Sequence, residues 1–203
     1  MANVPRPWPS AVILFNLVQK SSGYFVYAST VIKFVDDPYS RPDEQLEIIQ
    51  NLKPTQHDAP FEALDKLYHQ ILSVVRPQFH SRLLCILQCV AHNHGLDPPQ
   101  LDYILGLKPG DTKLILRGLH SVLKVPSNDE GWSISFHHTS FLDFLQAQER
   151  SLNFHLSGES CLKVAQAILT AASDESIPRP EGFNPWYVYL QFLQLHYLMV
   201  VGG

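Results

Sequence analysis

Apolar residues recur every three to four positions through most of the chain, and proline, glycine and serine punctuate the runs. The first segment predicts a helix pair. Pro9 and Ser10 precede an apolar run over 11–20, with Ser10 placed to cap it. Ser21, Ser22 and Gly23 interrupt the run, and a second helix resumes over 24–35. That helix is nearly all apolar; Ser29, Lys33 and the following Asp36 fall on helical spacing, which predicts one polar stripe on an otherwise buried element. Asp37-Pro38 ends it. Pro42 followed by Asp43 and Glu44 starts a third helix, which carries Leu46, Ile48, Ile49 and Leu52. A linker covers 53–60. Leu64, Leu67, Ile71, Leu72 and Val75 then fall on helical spacing, and Pro77 stops the run.

From Phe79 the pattern changes character. A helix is predicted to about residue 93, with Gly95 at its end. Asp97-Pro98-Pro99 opens a short helix over 100–105, a turn covers 106–110, and a third helix is expected over 111–123. Segments 122–125 and 132–137 flank a polar turn at 127–131. Trp132, Ile134 and Phe136 alternate with serines, the period of a half-buried strand. A fourth helix follows over 139–147. Three helices, a β-ribbon and a closing helix define a winged-helix arrangement. Beyond it come a helix over 158–172, a Ser/Pro-rich loop, and an apolar helix over 186–201. The expected fold class is therefore mainly α: a helical bundle plus a winged-helix domain with one short β-hairpin. The expected domains are 1–60, 61–156 with its lead-in helix, and 157–203. No internal repeat is visible.

Composition narrows the class. Of the 203 residues, 45% are hydrophobic and 17% charged, which excludes disorder as the dominant state. The net charge of −4 carries no basic excess to attract nucleic acid or an anionic membrane. Three cysteines without a signal peptide argue for a reducing compartment, so the expected location is cytoplasmic. The longest apolar tract, 186–201, is shorter than a bilayer span and is interrupted by Gln191, Gln194 and His196, so no transmembrane helix is expected.

The chain has neither a G-x-x-x-x-G-K-S/T loop nor a G-x-G-x-x-G turn, the clustered glycines that let backbone N–H groups approach a nucleotide's phosphates, so nucleotide hydrolysis by this chain alone is not expected. It also lacks a G-x-S-x-G elbow. His137, His138, Ser140 and Asp143 lie close in sequence, but triad members converge from distant segments, and these read as helix-cap and surface groups. Cys85, Cys89 and His92, with His94 nearby, share one helix face that zinc could use. Their spacing matches no zinc pattern, and cysteine also serves cores as a small hydrophobe. No catalytic residue and no metal ligand is assigned. Lys108, Lys113, Arg117 and Lys124 lie on or beside the third winged-helix helix. They keep open an alternative, a free-standing nucleic-acid-binding winged helix, although four cations in an acidic chain fit a solvated face better. The block from Ser133 to Leu145 ends a strand in a histidine pair and opens a helix near Thr139 and Ser140. A histidine there sits beside backbone donors suited to an anion; a ligand role and a satisfied, partly buried histidine both fit.

Several blocks together resemble a known family. The stretch from Leu17 through Gly23, Tyr24 and Ala28 to Val35 resembles the end of the nucleotide-binding core of NACHT-type signalling ATPases of the STAND class, notably the fungal ones. Residues 61–72 are similar to the helix that leads into their winged helix. Residues 105–123 resemble the winged helix itself, and His138-Thr139-Ser140-Phe141-Leu142-Asp143 its closing motif. The likeness covers about 7–154. It implies a module of innate-immune signalling that closes around ADP with an ATPase core and swings away on exchange for ATP. The nucleotide-sensing histidine of the closing motif falls on His138. Gly23 and Tyr24 occupy the turn where related switches carry Gly-Leu-Pro-Leu, here without the proline. The resemblance places the phosphate loop, the magnesium-binding acids and the first sensor upstream of Met1, so the chain is expected to be a truncated product or partial gene model. Alone it would be no enzyme and hold no cofactor. Its expected partners are an ATPase core, in cis or in trans, and a protein that covers the apolar C-terminal helix.

Overall fold

The computed structural model describes residues 8–21, 23–52, 61–92, 95–126, 133–174, 176 and 178–201, with side chains of the last helix described to residue 194. The expected linker at 53–60, the wing turn at 127–131 with Trp132, and His94 fall outside them. The described residues form eleven α-helices and one two-stranded antiparallel sheet. The chain is mainly α with a short β-ribbon. It divides into two compact units, 1–74 with 118–122, and 75–117 with 123–203.

The first unit holds α1 (Ala11–Ser21), α2 (Phe25–Val35), α3 (Pro42–Asn51) and α4 (Glu62–Ser73). Ser10 caps α1 as the sequence indicates, its hydroxyl accepting from the Ile13 N–H at 3.4 Å. Pro42 fixes the first turn of α3, with Asp43 and Glu44 at the positive end of its dipole. Helix α4 was expected to lead into the second domain. It packs on α1 and α2 and is grouped with them. Tyr27, Val31, Phe34, Ile49, Leu67 and Ile71 are buried in this unit. Helix α2 is less enclosed than its composition suggests. Phe25 and Ile32 lie on its outer side at 84% and 67% exposure, because the inward face is filled by Tyr27, Thr30, Val31 and Phe34 alone.

The second unit begins with a 3₁₀ turn (Pro77–Phe79) that runs into α5 (His80–Ala91). Helix α6 (Pro98–Ile104) opens with a complete capping box: Asp97 accepts the Gln100 N–H, and the Gln100 side chain accepts the Asp97 N–H. Helix α7 (Asp111–Leu116) follows. Strands β1 (Leu123–Lys124) and β2 (Ser135–Phe136) pair antiparallel, with Leu123 opposite Phe136. The Ile134 N–H donates to the Leu96 carbonyl at 3.1 Å, which ties the α5–α6 connection to the ribbon. Helices α8 (Thr139–Gln146), α9 (Gln148–Ser151), α10 (Gly158–Ser173) and α11 (Pro185–Val201) complete the chain. Helix α10 packs on α5, α6 and α11. The order from α5 to α8 is the winged-helix order.

One expected element is much shorter than anticipated. The third helix, expected over 111–123, stops at Leu116. Residues 117–122 turn instead, and 118–122 pack within the first unit. A Cβ at Gly118 would lie 2.7 Å from Cγ1 of Val74, so any larger residue there forces the valine side chain to shift. His120 fastens the same segment, its Nε2 lying 2.8 Å from the Lys33 carbonyl.

Candidate functional site

His138 is the N-cap residue of α8, with extended backbone angles (φ −150°, ψ 144°). The Ser140 N–H donates to Nδ1 at 3.0 Å, and the Ser140 hydroxyl lies 2.8 Å from the same nitrogen. A ring nitrogen that accepts these bonds carries no proton. The neutral ring therefore bears its proton on Nε2, as a donor on an exposed side chain. The sequence opens the helix near Thr139 and Ser140, and the His138 imidazole caps it. Its seat is rigid. The Phe136 ring, at the end of β2, meets Phe141 edge-on at 5.8 Å, and Phe141 stacks on Phe144 at 6.2 Å. The Arg150 guanidinium covers Phe144 at 5.9 Å. His137 and Thr139, on either side, are also exposed.

Gly23 and Tyr24 belong to the first unit. Gly23 turns with φ +82°, the left-handed region that favours glycine, and the Tyr24 N–H donates to the Ser21 carbonyl at 2.7 Å. Tyr24 is the N-cap residue of α2, and its ring lies 5.2 Å from that of Phe61. Lys20, just before this turn, reaches the end of α3. Its Nζ donates to the carbonyls of Ile49, Gln50 and Leu52 at 3.0–3.2 Å, closing that helix at the negative end of its dipole. Burial lowers the Lys20 amine, and Lys66 nearby lowers it further. An open hollow of about 430 Å³ beside the α2–α3 loop is lined by Arg41 and Glu44 and by neither Gly23 nor Tyr24.

The thiol and histidine face of α5 is built into the core. Cys89 is buried, and burial, then the thiols of Cys85 and Cys161, push its thiol far above the ordinary range. Burial also raises Cys85 and Cys161. High thiol pKa values make poor nucleophiles. The buried His92 ring stacks on Phe192 of α11 at 4.8 Å, and its Nδ1 lies 2.8 Å from the Gln88 carbonyl. Gln88 in turn accepts from the Ser160 hydroxyl of α10 at 3.1 Å. Among the described residues, no group of three or more His, Cys, Asp or Glu side chains is arranged to hold a metal.

The cations considered for nucleic acid lie on different elements. Lys113 lies on α7, Arg117 just beyond it, Lys108 in the preceding turn and Lys124 on β1. Helix α7 has six residues, and its outer positions include the exposed Leu114 as well as Lys113. The residue that sets this helix in place was not singled out from the sequence. Asp102 of α6 is buried, and its two carboxylate oxygens accept the N–H groups of Gly110 at 2.7 Å and Thr112 at 2.8 Å. Gly110, the N-cap residue, has no side chain to do this, and that deficit was the available signal.

Comparison with family models, curated proteins and solved structures finds no match for the chain. Among the described residues, no helix is long and apolar enough to cross a membrane.

Proposed function

We propose that the chain is a non-catalytic regulatory module of a NACHT-like signalling NTPase, which in the intact protein closes over bound ADP and reads it through His138. The observation that carries the reading is the state of that side chain. It is exposed at the start of α8 and held so that Nε2 presents a hydrogen-bond donor. Anionic oxygen is the natural acceptor for a donor at the positive end of a helix dipole. The winged-helix order from α5 to α8 and the sequence blocks described above support the same reading. The module works in the cytoplasm with an ATPase core, in cis or in trans, that supplies the nucleotide site. ADP and ATP belong to that assembly. Helix α11 is the face that a protein partner covers.

Two substitutions separate sensing from capping. His138→Ala removes both roles. His138→Asn keeps a favourable cap but shortens the reach of the donor. In the protein joined to its ATPase core, both should weaken ADP binding by about 10-fold or more, the effect of one hydrogen bond to a charged group. His138→Asn should leave the melting temperature nearly unchanged. Unchanged ADP affinity in both variants would contradict the reading.

A further inference from the structure

The hollow of about 430 Å³ beside the α2–α3 loop falls in the size range of small-molecule sites. Arg41, Glu44, Gln45 and Ile48 line it, and their helical spacing makes them one face of α3 and its N-cap. The loop adds Pro38, Tyr39 and Ser40. Asp37 sets that loop: its carboxylate accepts the Tyr39 N–H at 2.9 Å and the Ser40 hydroxyl at 3.0 Å. The lining is therefore in place before a ligand arrives. One atom in it lacks a partner. Gln45 is only 8% exposed, and its Oε1 is buried with no hydrogen-bond donor. An orphaned buried acceptor carries a cost that a ligand donor would lift. No bond holds Oε1 where it lies, and the last torsion of a glutamine side chain is broad, so a turn about it brings the oxygen to the hollow at little cost.

We propose that this hollow binds a free α-amino acid in its zwitterionic form. An ammonium group brings N–H donors and no acceptor. The acceptors that line the hollow are the Gln45 Oε1, the Glu44 carboxylate and the Ser40 hydroxyl oxygen, whose own proton is committed to Asp37. Segment 36–47 sets Asp36, Asp37, Asp43, Glu44 and Glu47 against one cation, Arg41, a balance that favours a positive group. A phosphate would meet Glu44 and the orphaned oxygen as acceptor against acceptor. Arg41 answers the other end of the ligand. Its guanidinium is the planar fork that matches a carboxylate, and it stands at the positive end of α3, where no N-cap side chain takes up the backbone donors. Arg41 and Glu44 meet at 3.7 Å with side chains 77% and 65% exposed. An exposed pair of that kind contributes little, so the ligand's two charges can take its place. The exposed Tyr39 ring, Pro38 and the half-buried Ile48 offer apolar surface to the amino acid's side chain, and an aromatic one can stack on Tyr39. Every residue of this site belongs to the first unit, and the inference is independent of the nucleotide reading of His138.

The test is calorimetric titration of the whole chain with L-phenylalanine. Binding should saturate at one site with a Kd at or below about 1 mM. Phenethylamine, which lacks the carboxylate, and 3-phenylpropanoate, which lacks the ammonium, should each bind about 10-fold or more weakly. Gln45→Met removes the amide at similar length and should weaken L-phenylalanine by about 10-fold, the loss of one hydrogen bond to a charged group. The melting temperature of the ligand-free variant should be unchanged or higher, because the orphaned oxygen is gone; a merely structural Gln45 would lower it instead. Glu44→Gln, on an exposed side chain, gives a second reading and should weaken binding by about 3-fold or more. No saturable binding of L-phenylalanine or L-leucine up to about 10 mM overturns the proposal. So does phenethylamine that binds as tightly as L-phenylalanine, or unchanged affinity in both variants. Each of these results leaves ADP binding through His138 untouched, because that is read by nucleotide titration.

Discussion

Single side chains hold the second unit in register, and Asp102 is the clearest case. One buried carboxylate supplies the start of α7 with the acceptors that Gly110 lacks. Hydrogen bonds from backbone N–H groups to a charged acceptor contribute about 1.5–3 kcal/mol each before the relaxation that follows their loss. Asp102→Ala should therefore destabilise the protein by roughly 2–4 kcal/mol. Asp102→Asn should cost nearly as much, because its amide group faces an N–H where an oxygen is needed. Urea unfolding of both variants checks this, and a loss below about 0.5 kcal/mol would be inconsistent with a buried cap. The sequence pattern concealed Asp102 because its partners lie eight and ten residues downstream, beyond any local capping motif. His138 was hidden differently. Its position beside a helix start was legible, but imidazole is outside the usual set of capping residues, so the bond from Ser140 to Nδ1 emerged only from the structure.

Among elements, the helices with strong periodicity and a proline or serine at their start were legible: α1 and α3 begin where Ser10 and Pro42 place them, and α6 opens at Pro98, two residues before its expected start. Helix α7 shows the limit. Residues 117–123 continue an apolar pattern that local rules read as helix, yet packing of 118–122 against α4 and α2 diverts the chain. Gly118→Ala should cost about 1–3 kcal/mol, as overpacking does. Val74→Ala in the same chain should restore most of that loss, because it removes the methyl group that the new Cβ would strike. If the double variant is no more stable than Gly118→Ala, the close approach is not the cause of the turn. The α5–α10 pairing makes a separate prediction about pH. Burial holds the Cys89 thiol protonated in the folded state, while in the unfolded chain it ionises from about pH 8.5 upward. The unfolded state then releases a proton that the folded state keeps. Stability is fully present below that range and falls as pH rises through it, by about 1.4 kcal/mol per unit for this one group. Urea midpoints from pH 8 to pH 10 should decline, and Cys89→Ala should decline less steeply. Equal slopes would show that the thiol is not shielded.

On the scale of the whole chain, fold class was the most legible property, since periodicity alone indicates a mainly helical protein with one short ribbon. The functional reading is a proposal that rests on particular sequence blocks and on His138. No phosphate loop is present, and the cations that a nucleic-acid reading would need are spread over a turn, a short helix and a strand in a chain of net charge −4. Duplex DNA titrated at low salt should accordingly give no saturable binding. Binding that weakens on charge reversal at Lys113 and Arg117 would favour the nucleic-acid alternative. The most direct measurement is the native transcript, read upstream of the codon for Met1. A regulatory module of a signalling NTPase predicts an in-frame phosphate loop, G-x-x-x-x-G-K-S/T, joined to this chain. A transcript whose only open frame starts at Met1 would contradict a module built into one NTPase chain and leave His138 to meet nucleotide only on a core supplied in trans.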